Sequence, residues 1–239
     1  MKGVILAGGK GTRLGQLTLV ANKHLLPVYN KPMILHPLET LREFGVDDVL
    51  IVTGGEYIGR FVELLGDGSD FGVKITYRVQ KDAGGIAQAL GLAEEFFKGE
   101  KVLVILGDNI FETAVLKRSL THDWTADENA VLFIKDINDP ERFGVIEFDK
   151  KGNAKIIIEK PNMPKSNSAV TGLYMYPSDV FEIIKKLKPS ARGELEITDI
   201  NNHYIKKGKC KVVKFEGFWS DAGTFDSLLK SANWIKGCD

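Results

Sequence analysis

Cysteine is scarce in this sequence, which has only Cys210 and Cys238 among 239 residues. Two cysteines build neither a disulfide framework nor a cysteine-based zinc site, which suits a protein of the reducing cytosol. Long apolar runs are lacking too, since stretches such as Val102–Leu106 are far shorter than the roughly 20 residues that span a bilayer. The N-terminus shows no pattern of a secretory signal. We therefore predict a cytoplasmic protein without membrane segments.

An excess of charge of either sign is also missing, because 32 lysines and arginines balance 32 aspartates and glutamates. This balance excludes bulk charge as a drive toward nucleic acid or an anionic membrane, but it leaves room for a local basic pocket. Apolar residues at 44% and charged residues at 27% are typical of a folded globular chain. No repeat or linker divides it, so we predict one domain over residues 1–239, with a homo-oligomer left open.

The order of apolar runs and amphipathic segments predicts an α/β fold. In the first half we expect strands at residues 2–6, 49–53, 74–78 and 101–106, and helices at 33–44, 57–65 and 86–97. This alternation is typical of a parallel sheet with helices on both faces. In the second half we expect strands at 130–135, 144–148, 154–158, 170–176 and 211–215, and helices at 179–187, 196–206 and the C-terminal end. The whole predicts a single-domain, Rossmann-like three-layer sandwich with a mostly parallel, mixed sheet.

A glycine-rich segment follows the first predicted strand. Residues 6–14 are Leu-Ala-Gly-Gly-Lys-Gly-Thr-Arg-Leu. Glycines let backbone N–H groups approach a phosphate closely, and Lys10, Arg13 and the later Lys23 add positive charge. The segment has neither the Gly-Lys-Ser/Thr ending of a Walker A loop nor the third glycine of the dinucleotide fingerprint, where Leu14 stands. It therefore predicts either a polyphosphate cradle or a tight turn whose glycines serve geometry alone.

Motifs along the whole chain resemble those of the sugar-phosphate nucleotidyltransferases. The glycine-rich segment is followed at residues 22–33 by Asn-Lys-His-Leu-Leu-Pro-Val-Tyr-Asn-Lys-Pro-Met. Further matches lie at residues 80–89, 107–111, 140–145, 159–161, 170–174, 192–199 and 219–224. Each motif alone is modest evidence, but the ordered set is specific. Within that family the set is most similar to the glucose-1-phosphate thymidylyltransferases, in a short form that lacks the C-terminal extension of longer relatives.

The resemblance implies an α/β nucleotidyltransferase domain that uses Mg²⁺. A sugar 1-phosphate oxygen would attack the α-phosphorus of a nucleoside triphosphate in line, and pyrophosphate would leave. The implied substrates are dTTP and glucose 1-phosphate, and the product is dTDP-glucose, which commonly feeds rhamnose synthesis. A phosphate oxygen is already anionic, so the protein has to supply positioning and charge neutralisation rather than a nucleophile. Residues 1–110 would bind mainly the nucleotide, and residues 111–239 mainly the sugar phosphate.

The resemblance assigns catalytic roles to three cations, Arg13, Lys23 and Lys160. Arg13 would stabilise charge on the triphosphate and pyrophosphate, Lys23 would hold a nucleotide phosphate, and Lys160 would reach the sugar phosphate. Without the motifs, both lysines would be ordinary solvated side chains. Asp108 and Asp221 are the implied Mg²⁺ ligands, since Mg²⁺ on phosphates takes one or two protein carboxylates. Either aspartate alone would also fit the cap of a helix.

Two further groups of residues are implied to contact the substrates. The nucleotide-binding residues are Leu6, Ala7, Gly8, Gly9, Gly11, Thr12, Gln80 and Gly85. The sugar-phosphate-binding residues are Gly144, Glu159, Lys160, Val170 and Trp219. The Gln80 amide can pair with the donor–acceptor edge of thymine or uracil. Two alternatives stay open: Gln80 as a polar strand end without a ligand, and Trp219 as a core residue.

Three rival functions have to be weighed against this one. Thymine and uracil differ by one methyl group, so UTP or another sugar 1-phosphate would serve the same chemistry, although Gln80 and the Glu-Arg-Phe-Gly run at residues 141–144 favour the thymidylyl enzyme. A catalytically silent regulator is disfavoured because all three cations and both aspartates are present. A dinucleotide-dependent oxidoreductase is disfavoured because the third loop glycine and a following acidic residue are missing.

The sequence departs from the family pattern at a few positions. Gly15 and Gln16 stand where the family often has a proline, and Ala222 stands where threonine is common near the implied metal. The missing extension carries a regulatory nucleotide site in longer relatives, so we predict weak or absent feedback inhibition through such a site. The histidines have no metal-ligand spacing. If the stretch around them is extended, His24 faces away from Lys23, and we expect His122 to lie on the surface.

Overall fold

The computed structural model describes residues 1–121, 123–124 and 128–238, so His122 lies outside the described residues. The chain divides into two compact units, and each is assembled from separate segments. Unit 1 comprises Met1–Ala83, Val104–Thr113 and Gly217–Asp239. Unit 2 comprises Gly84–Leu103 and Ala114–Glu216. The assignment of one domain to residues 1–239, with its two functional halves, stays a prediction.

Strands and helices alternate along the first part of the chain, and strands dominate the middle. The strands are β1 (Lys2–Ala7), β2 (Pro27–Val28), β3 (Lys31–Pro32), β4 (Asp48–Gly54), β5 (Lys74–Gln80), β6 (Val102–Leu106), β7 (Ile110–Phe111), β8 (Ala130–Asp136), β9 (Gly144–Phe148), β10 (Ala154–Glu159), β11 (Ser168–Tyr176), β12 (Cys210–Lys214) and β13 (Trp219–Ser220). The helices are α1 (Leu35–Glu43), α2 (Ile58–Leu65), α3 (Ile86–Gly91), α4 (Glu94–Phe97), α5 (Thr113–Ser119), α6 (Val180–Ile184), α7 (Ile197–Lys206) and α8 (Phe225–Lys236).

Unit 1 is built on parallel strands in the order β1-β4-β5. The strands form because runs such as residues 4–7 and 49–52 are apolar and fully buried, as strands covered on both faces require. Ala7 lies opposite Thr53, and Gly54 lies opposite Gln80. The carboxyl ends of these strands therefore meet at one edge, where ligands bind in open α/β sheets.

A second structural feature of unit 1 ties the C-terminal segment to the loop after β6. Strands β7 and β13 pair in antiparallel fashion, with Trp219 opposite Phe111 and Ser220 opposite Ile110. Helix α8 then covers a small apolar cluster that contains Val28, Met33, Ile110, Ala222 and Ile235. The C-terminal residues are thus part of the same core as the N-terminal ones.

Unit 2 combines antiparallel and parallel pairing. Strand β11 pairs with both β8 and β9 in antiparallel fashion, β10 extends the sheet beside β9, and β12 lies parallel to β8. Helix α7 lies against β10, and α3 and α6 contact each other. Aromatic rings fill part of the interior. Tyr176 stacks on Tyr204 with 5.8 Å between ring centroids, and Phe97 packs against Phe181 in a tilted arrangement at 6.1 Å.

The α/β class and the mixture of strand directions are confirmed, with element ends shifted by one to three residues in most cases. The segment 86–97, predicted as one helix, forms α3 and α4 with a break after Gly91. Glycine is a poor helix former, and a Cβ at this position would lie 3.1 Å from Ile184, so close packing keeps the glycine there. In the part of the chain that the structure describes, no helix is long and apolar enough to cross a membrane.

Candidate active site

The glycine-rich segment curls around the side chain of Lys23. Gly11 has a left-handed φ of 67°, and a Cβ there would lie 2.8 Å from the Cβ of Lys23. A Cβ on Gly9 would lie 3.5 Å from Cε of the same lysine. Beyond the loop, Leu14 is fully buried and its N–H donates to the Gly11 carbonyl at 2.8 Å. Glycine is therefore needed at Gly11 to make room for the lysine as well as to turn the chain, whereas a Cβ at Gly9 would make only an ordinary contact.

The Lys23 ammonium forms a buried ion pair with Asp108. Nζ donates a hydrogen bond to Oδ2, and the two side chains are only 11% and 12% exposed. The Asn109 amide donates to the other carboxylate oxygen at 2.8 Å. Burial by itself would raise the pKa of Asp108, but the charge of Lys23 and the two hydrogen bonds outweigh it and lower this pKa below its ordinary value. Asp108 is therefore an ionised carboxylate at neutral pH.

A short 3-10 turn over Lys23–Leu25 sets the direction of Lys23. The Asn22 side chain begins the turn, because its Oδ1 accepts from the His24 backbone N–H at 3.0 Å and lies 2.6 Å from His24 Nδ1. Burial and the neighbouring charge of Lys23 lower the pKa of His24 to about 3, so the ring is neutral. The segment is thus a turn and not the extended stretch in which His24 would face away from Lys23. The reason is the asparagine cap, which favours a turn over a strand.

Arg13 and Asp221 form a second pair of opposite charges. Arg13 Nη2 lies 3.8 Å from Asp221 Oδ2, with the arginine side chain 56% exposed and the aspartate 10% exposed. A Cβ on Gly223 would lie 3.1 Å from that guanidinium nitrogen, so the glycine leaves space for it. Extending the register of β7 and β13 by one residue puts Asp221 opposite Asn109, next to Asp108. The two predicted metal ligands therefore lie at the same end of this ribbon.

The end of β5 brings Gln80 to the glycine-rich segment. Gln80 is buried, and a Cβ on Gly8 would lie 2.3 Å from its Oε1. Leu6 and Ala7 are buried in β1, whereas Thr12 is exposed at the start of the following 3-10 turn. Unit 1 thus places every predicted nucleotide-binding residue except Gly85 around the ends of β1 and β5.

Trp219 is the one predicted sugar-binding residue in unit 1. It is 4% exposed, and its indole N–H donates to Asn109 Oδ1 at 2.7 Å. Because Asn109 also donates to Asp108, the tryptophan is linked through one side chain to the carboxylate. This burial fits the core role that the sequence left open, and the sugar contact stays a prediction.

The other predicted sugar-phosphate residues lie in unit 2, where Glu159 is the centre of a polar cluster. Thr198 donates its hydroxyl to Glu159 Oε2 at 2.5 Å, and a Cβ on Gly144 would lie 3.3 Å from the same oxygen. Lys160 has a left-handed φ of 45°, and its N–H donates to the Phe143 carbonyl at 2.9 Å. The turn directs its ammonium to within 3.8 Å of Glu159 Oε1. The cluster presents a carboxylate beside a half-exposed cation.

Arg192 also belongs to this cluster, although its sequence motif predicted no role for it. Its Nη2 lies 3.8 Å from Glu159 Oε1 and 2.8 Å from Glu196 Oε2. Glu159 therefore lies near two cations, Lys160 and Arg192, both partly exposed. The signal was present in the Arg-Gly-Glu-Leu-Glu run at residues 192–196, which was matched as a motif without a function.

In unit 2, close backbone packing explains the glycine at residue 85, and Val170 lies in the core. Gly85 has a φ of 100°, and a Cβ would lie 2.5 Å from the Leu195 carbonyl oxygen. The Leu195 N–H donates to the Gly84 carbonyl at 2.8 Å, so the two backbones run in contact. Val170 is buried within β11. Gly85 belongs to unit 2 and Gln80 to unit 1, so the contact of Gly85 with a base stays a prediction.

A protein-only metal cage is absent from the described residues, where no three His, Cys, Asp or Glu side chains cluster to hold an ion. Mg²⁺ does not need such a cage, because it keeps water and phosphate ligands and takes one or two carboxylates from the protein. Asp108 and Asp221 fit that demand. Both are buried carboxylates, and each already attracts a cationic side chain in unit 1.

Comparisons with known proteins identify relatives of this chain. The family model described as nucleotidyl transferase matches residues 2–236. Glucose-1-phosphate thymidylyltransferases from Neisseria gonorrhoeae and Mycobacterium tuberculosis strain H37Rv are 48% and 44% identical, each over 99% of this chain and over 83% and 82% of their own lengths.

Solved structures share the fold as well. A crystal structure from Bacillus anthracis, put forward as a glucose-1-phosphate thymidylyltransferase in complex with sucrose, is 49% identical, with a TM-score of 0.90 over 99% of this chain and 95% of that one. A UDP-glucose pyrophosphorylase with UDP-glucose is 26% identical, with a TM-score of 0.86 over 100% and 99%. These matches confirm an α/β fold with a mixed, mostly parallel central sheet. By the family model and by the curated relatives, the chain belongs to the nucleotidyl transferase family.

Proposed function

We propose that the protein transfers a thymidylyl group from dTTP to α-D-glucose 1-phosphate and releases pyrophosphate. The observation that carries the proposal is the arrangement in unit 1, where a glycine-rich loop encloses a lysine paired with a buried aspartate. Membership of the nucleotidyl transferase family supports the transfer itself. The relatives at 44–48% identity bear the name of this activity, and they support the choice of substrates.

The nucleotide is bound by unit 1 in this proposal. Backbone N–H groups of the glycine-rich loop and the charges of Arg13 and Lys23 neutralise the triphosphate and the departing pyrophosphate. The Gln80 amide, held against Gly8, reads the donor–acceptor edge of thymine. All of these groups act by position and charge, so no side chain has to become a nucleophile.

Asp108 and Asp221 would hold Mg²⁺ in the working enzyme. When bound, Mg²⁺ withdraws charge from the phosphate oxygens and helps to align them. The part played by the chain is to keep Asp108 ionised, which the Lys23 charge and the Asn109 hydrogen bond do.

The sugar phosphate is bound by the Glu159 cluster of unit 2 in this proposal. Glu159 accepts hydrogen bonds from neighbouring sugar hydroxyls, and Thr198 fixes its orientation through the 2.5 Å bond. Gly144 lets the sugar approach the backbone next to Glu159, and Val170, which is buried in β11, is the other predicted contact. Lys160 and Arg192 balance the charge of the 1-phosphate, which becomes the attacking group.

A second candidate uses the same chemistry with UTP. The fold of a UDP-glucose pyrophosphorylase matches this chain with a TM-score of 0.86. A glutamine amide pairs equally with thymine and uracil, because both bases present the same donor–acceptor edge.

We place the enzyme in the cytoplasm, where its two free cysteines, Cys210 and Cys238, would stay reduced and its product would feed sugar-nucleotide synthesis.

Pyrophosphate release from a grid of nucleoside triphosphates and sugar 1-phosphates tests the proposal. We expect the fastest release with dTTP and glucose 1-phosphate, and none after chelation of Mg²⁺. A faster rate with UTP would keep the mechanism and replace the nucleotide. If folded protein binds a nucleotide but releases no pyrophosphate with any substrate pair, a regulator without catalytic activity is favoured.

A further inference from the structure

Both carboxylates assigned to Mg²⁺ are paired with the two cations assigned to the triphosphate. Lys23 binds Asp108, and Arg13 lies 3.8 Å from Asp221. The four side chains carry no net charge together, because two ammonium or guanidinium groups match two carboxylates. Mg²⁺ has the charge of Lys23 and Arg13 combined, so it can replace them on the aspartates without altering the balance.

We propose that Lys23 and Arg13 are exchangeable counter-cations, which hold the metal ligands until Mg²⁺ and the triphosphate bind together. This inference rests on the proposed function, in which the aspartates take the metal and the two cations take phosphate. Each cation changes partner, from carboxylate to phosphate, as Mg²⁺ takes its place. Metal and nucleotide therefore bind cooperatively, and each binds weakly alone.

Because the Lys23–Asp108 pair is buried, the exchange requires Mg²⁺ and the triphosphate to bind together. If a triphosphate alone drew Lys23 away, Asp108 would be left as a buried carboxylate without its counter-ion, which is strongly unfavourable. If a metal ion alone took Asp108, the ammonium, only 11% exposed, would lose its partner. Only the arrival of both ligands leaves every buried charge compensated.

The two pairs do not contribute equally. Arg13 is more than half exposed, and its 3.8 Å separation from Asp221 is screened by water, so this pair is easily opened. Lys23 is confined by the glycine-rich loop, yet the missing side chain of Gly9 leaves space beside its Cε and Nζ. The ammonium can therefore turn toward the loop without displacing the backbone. Lys23 is the main determinant of the coupling.

Manganese binding to the full chain, followed by electron paramagnetic resonance, tests the proposal without turnover. The titration is done with and without a dTTP analogue whose α,β-bridge is methylene. In the wild-type protein we expect the analogue to tighten Mn²⁺ binding about tenfold or more, and Mn²⁺ to tighten analogue binding by the same factor. Asp108→Asn should abolish this Mn²⁺ signal, which identifies the site.

The decisive variant is Lys23→Met, which keeps the aliphatic stem and removes the competing cation. We expect it to bind Mn²⁺ about tenfold more tightly than wild type when no nucleotide is present, and to lose most of the coupling. Lys10→Met is the matched control, because Lys10 is an exposed lysine of the same loop. It should bind Mn²⁺ nearly as wild type does, since it removes a screened charge.

Two results would overturn the proposal. One is a wild-type protein whose Mn²⁺ affinity does not respond to the analogue, which needs no variant to fold. The other is equal Mn²⁺ affinity in Lys23→Met and Lys10→Met. Normal pyrophosphate release with either result rejects the exchange and keeps the proposed function. A protein that releases no pyrophosphate with any substrate pair rejects the function itself.

Discussion

Gly8 illustrates how a single missing side chain can shape a binding site. A Cβ at this residue would lie 2.3 Å from Gln80 Oε1, closer than any real contact, so alanine there displaces the amide. If Gln80 reads the base, loss of its hydrogen bonds costs roughly 1–3 kcal/mol. We therefore expect Gly8→Ala to raise KM for dTTP about tenfold or more, with a smaller effect on kcat, in steady-state assays of pyrophosphate release.

Gly59→Ala is the control for that substitution. Nothing lies within 4 Å of a Cβ at Gly59, which is in helix α2. Alanine there should leave KM unchanged and stabilise the helix by about 0.5–1 kcal/mol. An unaltered KM for dTTP in Gly8→Ala would show that Gln80 does not bind the nucleotide.

Asp108→Asn tests the buried carboxylate while preserving its shape. The amide cannot balance Lys23 or hold Mg²⁺ as a carboxylate does, so kcat should fall by about 10²-fold or more. Circular dichroism and size-exclusion chromatography should show a folded protein. Asp70→Asn, an exposed aspartate of unit 1, is the control and should retain activity. Wild-type turnover in Asp108→Asn would remove this residue from the site.

Motifs indicated individual candidate site residues, but they did not indicate the partners of those residues. Lys23, Asp108 and Arg13 stand in recognisable segments, so the sequence marked them. Asn109 and Arg192 act through contacts with residues that are distant in the chain, such as Trp219 and Glu159. Such contacts depend on how strands are brought together, and no local pattern encodes them.

At the scale of the element, helix α8 begins with a reciprocal cap. Thr224 Oγ1 accepts from the Ser227 N–H at 3.2 Å, and the Ser227 hydroxyl accepts from the Thr224 N–H at 3.0 Å. This reciprocal cap follows directly after Asp221, Ala222 and Gly223. Its strength therefore bears on how firmly the second predicted metal ligand is held.

We expect Thr224→Ala to lower the free energy of unfolding by about 1 kcal/mol, because one capping bond and its geometry are lost. Urea denaturation measures this change. Thr224→Ser keeps the hydroxyl and should stay close to wild type. If both variants are equally destabilised, the methyl group rather than the cap is responsible.

The elements themselves were predictable to different degrees. Strands β1, β4 and β6 are continuous apolar runs, so pattern alone located them. The ribbon of β7 and β13 was not predicted, because each strand has two residues and its partner lies far away in the chain. The turn over Lys23–Leu25 was also missed, although Asn22 was available as its capping signal.

For the whole molecule, two buried histidines predict how stability depends on pH. Burial and nearby lysines lower the pKa of His36 to about 4 and that of His24 to about 3. Both values lie below the ordinary 6.5, so the unfolded chain binds more protons at acid pH. The two histidines therefore do not reduce the free energy of unfolding above about pH 6.5. As the pH drops from there toward 4, this free energy falls by up to about 1.4 kcal/mol per pH unit for each histidine.

His36→Phe should flatten the acid side of this profile. His36 Nε2 is buried without a hydrogen-bond partner among the described residues, while the ring also has a hydrogen bond to the Val28 backbone. A phenyl ring removes the titrating group, at the cost of that one hydrogen bond. Urea titrations between pH 7.5 and 5 provide the measurement, and the exposed His203→Phe is the control. A slope as steep as that of wild type would show that His36 is not buried in its neutral form.

The division of unit 1 into separate chain segments has a consequence for biosynthesis. A ribosome delivers Lys23 and Asp108 early, but it delivers Asp221 only after every segment of unit 2. Until then Val28, Met33 and Ile110 lack the residues of the last segment that cover them, and such apolar surface attracts chaperones. An interrupted translation product therefore exposes this apolar surface and has only one of the two aspartates. Under the proposed function, a chain that ends before Asp221 would lack the second metal ligand and would transfer no nucleotide.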